Sequence, residues 1–163
     1  MSVAEIPQSS ARHRVGDVVL LLLRFGLGVV FIAAALPKIA APDLFAADIH
    51  NYQMLPAWGV NAMALYLPWL ELVVGICLVL GIWRRASAFI MAALMIVFMI
   101  ALVSAAVRGL DISCGCFEVG AEGEHGSMTW YIVRDVAFLV AALVLVRYDG
   151  GPRPLDLLLR RTS

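Results

Sequence analysis

The chain has 163 residues, 12 basic and 12 acidic, with 63% hydrophobic and 15% charged side chains, and a mean hydropathy of +0.92. A water-soluble domain runs closer to half apolar and a quarter charged, so the excess apolar surface has to face lipid, and the chain reads as an integral membrane protein. Zero net charge argues against nucleic acid, which needs a concentrated basic face, and three cysteines are too few for a disulfide framework.

Four stretches are long and apolar enough to span a bilayer: about 15–36, 60–82, 87–107 and 128–146. Each approaches the roughly 20 residues that cross a hydrocarbon core of about 30 Å. Only helices suit them, because lipid offers backbone groups no partners. The expected fold class is an all-α membrane protein, a four-transmembrane-helix bundle forming a single domain over 1–163. The first stretch follows Arg12 and Arg14 like a leader peptide, but its length and Arg24 make it a retained anchor. Pro37 and Pro42 are expected to end it. Segment 43–55 then places Leu44, Phe45, Ile49 and Tyr52 at helical intervals, which predicts a short amphipathic helix on the outer surface. Segment 108–127 carries five glycines and no periodic pattern, the composition of a functional or disordered loop, and Ser127 is suited to cap the fourth helix.

Basic residues set the expected orientation. Arg12, Arg14, Arg84, Arg85, Arg147, Arg153, Arg160 and Arg161 fall on one side, whereas the opposite loops hold Lys38 and Arg108 among six acidic residues. The positive-inside rule puts both termini in the cytoplasm and both long loops outside. In a bacterium that means a multi-pass inner-membrane protein with periplasmic loops. Trp58, Trp83 and Trp130 lie near the predicted boundaries, as interfacial belts require; Trp69 lies mid-membrane.

Arg24, Glu71, Arg134 and Asp135 fall within the spans at a similar depth. Isolated, each would cost at least about 2.5–3.5 kcal/mol at the bilayer centre, so they have to turn inward and pair. They serve either as an ion-paired clasp between the first, second and fourth spans or, with Trp69, as a polar pocket for a proton, a quinone head group or another substrate. These residues fix no cofactor, and a quinone is one candidate for such a pocket. Pro68 favours the pocket, since it cannot donate to the Ala64 carbonyl one turn from Trp69 and Glu71. The third span carries no charge and is expected to close the bundle by packing alone.

Cys114-Gly115-Cys116 lies in the second outer loop. Cα atoms two residues apart are at most about 7 Å apart, within disulfide reach in a small strained ring that Gly115 relieves. Strained, exposed disulfides have high reduction potentials and pass oxidising equivalents on. The bland alternatives are two independent thiols, or staples to another chain. Asp111, Glu118, Glu122 and Glu124 surround the pair and disfavour a thiolate; such an acidic loop also suits a basic partner. Cys114, Cys116 and His125 fall short of a four-ligand zinc site. Met91, Met95 and Met99 could supply soft sulfur for Cu(I) but read as packing, so no metal site is predicted. Cys77, about 25 Å along the helix from the outer end, is expected to be a small apolar filler.

The pieces Arg24-Phe25-Gly26-Leu27-Gly28, Leu36-Pro37-Lys38-Ile39, Pro68-Trp69-Leu70-Glu71, Asp111-Ile112-Ser113-Cys114-Gly115-Cys116-Phe117 and Trp130 followed by Arg134-Asp135 together resemble the DoxX-like superfamily, and more closely its methylamine-utilisation branch, MauE. The resemblance runs from Arg24 to about Val146 and implies a four-helix membrane bundle. It further implies a role in maturing disulfide-rich periplasmic proteins, notably the small subunit of methylamine dehydrogenase, beside a thioredoxin-like partner, and it assigns the redox role to Cys114 and Cys116. The acidic insert 118–124 departs from the shorter glycine-rich form expected there. The resulting expectation is a lipid-embedded protein that exchanges disulfides through Cys114 and Cys116 with a periplasmic thioredoxin-like protein or disulfide-containing client. The alternatives are a small-solute or copper transporter, or a non-catalytic assembly factor.

Overall fold

A computed structural model describes residues 8–110 and 128–148, all helical apart from short turns. Five helices follow in order: α1 (Gln8–Ala40), α2 (Pro42–Asn51), α3 (Ala57–Leu80), α4 (Arg84–Val107) and α5 (Met128–Tyr148). Three of them are long and apolar enough to cross a membrane: Gly16–Ala40 of α1, and all of α3 and α4. This makes a multi-pass membrane protein, and large apolar side chains such as Leu22, Phe25, Phe89 and Val107 accordingly face outward. The pair Cys114 and Cys116, and Ser127, lie outside the described residues.

The predicted helical stretches are all helical, but the first does not stop at Pro37. α1 runs through that proline to Ala40. Pro37 lacks the N–H that would meet the Ala33 carbonyl, yet its own carbonyl accepts from the Ala41 N–H at 3.0 Å, so the ladder resumes at once. The chain turns only at Ala41. Pro42 then opens α2, where a missing N–H costs nothing and the fixed φ is already helical. Lys38, expected in a loop, is therefore a buried residue in the last turn of α1.

The long helices pack in the order α1, α3, α4, α5 and back to α1, and α2 lies against α3 and α1. Where α1 meets α3, Gly28 and Gly75 face each other. A Cβ on Gly28 would come within 2.9 Å of the Gly75 carbonyl, and a Cβ on Gly75 within 2.9 Å of the Gly28 carbonyl. Small residues on both sides let the backbones touch, which is how helices associate where lipid is as apolar as the partner. Towards the α3–α4 turn the interior is a continuous apolar core around Leu27, Val74, Leu78, Met91 and Leu145. Met91 belongs to that core and Met95 packs against it, so these two members of the methionine stripe act as filler. The turn itself is closed by Gly81, whose φ of 76° lets its own N–H reach the Leu78 carbonyl at 3.2 Å and the Ile82 N–H reach Cys77 at 2.9 Å.

A charged cavity beneath α2

At the other end the four long helices surround a cavity of about 310 Å³. α2 covers it. The helix turns Phe45, Asp48 and Ile49 towards the cavity, followed by Tyr52 just past its end, and leaves Leu44 exposed. The amphipathic helix predicted for this segment is present, but its inward face carries a carboxylate, and it closes the bundle instead of resting on its surface. Contacts with α4 hold its far end. The Tyr52 ring meets Phe98 of α4 edge-on, with centroids 6.3 Å apart. Arg108, at the end of α4, donates from Nη2 to the Tyr52 carbonyl and from Nε to the Ser104 carbonyl.

Five charged side chains among the described residues line the cavity: Lys38, Asp48, Glu71, Arg134 and Asp135. Lys38 Nζ donates to Glu71 Oε2 at 2.8 Å and to Oε1 at 3.1 Å, with both residues buried. Helix direction explains how they meet. Side chains lean towards the N-terminus of their own helix, so Lys38, at the C-terminal end of α1, reaches back into the bundle. Glu71 on antiparallel α3 leans towards the α2 end, and the two converge. Lys38 Nζ also sits 5.1 Å from the centre of the Phe45 ring, so α2 shields the ammonium from above by a cation–π contact. On α5, Arg134 folds back onto its neighbour, with Nε and Nη2 at 3.1 and 3.0 Å from Asp135 Oδ1. Asp135 Oδ2 is buried with no hydrogen-bond partner among the described residues.

The residues expected to share one polar pocket therefore separate. Glu71, Arg134 and Asp135 line the cavity. Arg24 is buried in α1 but lies outside the lining, and Trp69 is 53% exposed and turned out of the bundle. Trp69 lies two positions before Glu71, about 200° around a helix, so beside an inward carboxylate it has to point outward. Counting Arg24, the described residues bury or half-bury three cations (Arg24, Lys38, Arg134) against three anions (Asp48, Glu71, Asp135). Lys38 and Asp48 are the members that sequence reasoning missed. Lys38 was hidden by the proline before it. Asp48 had a usable signal, because it sits three residues after Phe45 and four before Tyr52, on the stripe that α2 buries. α4 lines the cavity only with apolar side chains, including Leu94, Phe98 and Ala101, as an uncharged span should.

The family model described as methylamine utilisation protein MauE matches residues 16–148. The protein of that name from Methylorubrum extorquens is 33% identical over 130 residues, covering 78% of this chain and 68% of its own. The one from Paracoccus denitrificans is 34% identical over 129 residues with the same shares. The one from Methylophilus methylotrophus is 38% identical over 91 residues, covering 55% and 48%. No solved structure matches the chain. Because the match extends from α1 through α5 and takes in every side chain that lines the cavity, this chain belongs to the MauE family of methylamine utilisation proteins.

Proposed function

We propose that this chain is a membrane thiol–disulfide redox protein that serves methylamine utilisation by helping a periplasmic client acquire its disulfides. The observation that carries the reading is the place of Cys114-Gly115-Cys116 in the chain. The pair lies between the end of α4 at Val107 and the start of α5 at Met128. Cys114 is tethered six residues beyond Arg108, a reach of about 20 Å at most, and Arg108 holds α2. The cysteines in this reading serve the α2 end of the bundle, opposite the Arg84 and Arg85 turn, which the positive-inside rule assigns to the cytoplasm. In this reading α5 is a fourth span, both termini are cytoplasmic, and the pair faces the periplasm across the inner membrane.

The chemistry is exchange through a mixed disulfide. A client thiolate attacks one sulfur of the Cys114–Cys116 disulfide and releases the other cysteine as a thiolate. A second client thiolate then displaces the bound sulfur. The client leaves with a new disulfide, and two electrons and two protons pass to the pair. Reoxidation needs an acceptor, either the disulfide of a thioredoxin-like partner or a membrane quinone that leaves as hydroquinone.

Replacing one cysteine removes the resolving thiol, so Cys116→Ser should trap a periplasmic partner on Cys114, or Cys114→Ser one on Cys116, as an adduct cleaved by reductant on a non-reducing gel. If neither variant captures a partner and the wild-type pair remains reduced in an oxidising periplasm, exchange is wrong. Full client maturation by the double serine variant would leave a non-catalytic assembly role instead.

A further inference from the structure

The cavity beneath α2 has a chemical requirement that the described residues do not themselves meet. At about 310 Å³ it falls at the lower end of small-molecule sites and has room for one substituted ring. Phe31 from α1, Phe45 from α2, Phe98 from α4 and Phe138 from α5 line it, and aromatic rings favour offset or edge-on contact with another ring. Lys38 directs two of its three donors at the Glu71 oxygens and faces the Phe45 ring. Arg134 is engaged with Asp135 Oδ1. Asp135 differs: its side chain is 3% exposed, and Oδ2 accepts nothing from the described residues. A buried acceptor left unmet is costly and calls for a partner. What the cavity lacks is a hydrogen-bond donor. Its wall carries two cations against three anions among the described residues, so an anionic ligand meets net repulsion, and any formal charge would have to leave water.

We propose that this cavity binds a neutral, lipid-soluble aromatic alcohol, a phenol or hydroquinone, with its ring among the phenylalanines and its hydroxyl donating to Asp135 Oδ2. Fatty acids fail on charge, alkanes lack the donor, and long-chain alcohols lack the ring. The site rests on the geometry of the cavity. It touches the thiol–disulfide reading at one point, since hydroquinone is the form a quinone takes once it has accepted the electrons of a dithiol.

The test uses full-length protein in phosphatidylcholine nanodiscs and a redox-inert probe, para-pentylphenol, titrated calorimetrically against empty discs. The phenol should bind saturably, one per chain. Its methyl ether, para-pentylanisole, has the same body without the donor and should bind about tenfold more weakly, as the loss of one buried hydrogen bond implies; octanol should also be weaker. Ala101→Phe, which fills the cavity from α4, should abolish binding while leaving cooperative unfolding intact. The Cys114→Ser, Cys116→Ser chain should bind the phenol unchanged, which separates this proposal from the exchange chemistry. Equal binding of phenol and ether, no saturable binding, or binding insensitive to Ala101→Phe would overturn it.

Discussion

Towards the α3–α4 turn, Leu78 and Met91 are completely buried in a continuous apolar core, and Gly28 and Gly75 bring two helices into backbone contact. Towards α2, the same four helices surround a cavity with five charged side chains among the described residues of its wall. In lipid, helices gain little from hydrophobic transfer, so close packing is what joins them, and the glycine crossing does that work in the first half. The second half gives up packing contacts and buries charges, and buried ion pairs rarely exceed well-packed apolar groups in stability. A chain under selection for stability alone would fill that end, and this contrast is why the proposals above look to the α2 end.

The largest expected effect comes from breaking the ion pair. Glu71→Gln leaves the Lys38 ammonium buried without its counter-charge, at a cost of about 3–5 kcal/mol, and should lower both folded yield and function. Unfolding titrations in mixed micelles read the loss. Lys38→Met combined with Glu71→Leu should recover most of the stability but not the function. Wild-type yield and activity in Glu71→Gln would deny the pair either role.

The packed half responds through sterics. Gly75→Ala drives a methyl to 2.9 Å from both the Gly28 carbonyl and Ile32 Cγ1, and overpacking of this kind costs about 1–3 kcal/mol. The same titration measures it. The variant should leave hydrogen exchange in α2 unaltered, and faster exchange there would show that the two halves are not independent.

Loosening the lid is a smaller change. Phe98→Leu keeps the apolar bulk but removes the edge-on contact to Tyr52, worth about 0.5–1.5 kcal/mol. Amides of α2 should exchange several-fold faster while those of α3 do not; unaltered exchange would mean that Phe98 does not hold the lid. The smallest effect belongs to Trp69→Leu. Its ring is turned out of the bundle, so stability should move by no more than about 0.5 kcal/mol and activity not at all. A large loss of activity would return Trp69 to the site.

Helix positions were legible because a hydrophobic run long enough to cross lipid has few alternatives, and a carboxylate such as Glu71 in such a run has to turn inward. Pro37 misled because a proline near a helix end looks like a terminator, whereas one missing N–H is tolerated when the next turn closes normally. That single boundary moved Lys38 from a loop into the interior and gave Glu71 a partner other than the arginines. Trp69 misled because depth in a span says nothing about azimuth, which follows from the 100° step between residues.

From composition and periodicity alone came the membrane solvent, the helices and the need for buried charges to cancel, since each of these depends on local hydropathy and on the absence of water in lipid. Which charge meets which, that α2 closes a hollow instead of lying on a surface, and that Asp135 keeps an oxygen unmet were decided by the tertiary structure. Those outcomes depend on how antiparallel helices cross at Gly28 and Gly75 and on the direction in which each side chain leaves its helix, neither of which any one segment encodes.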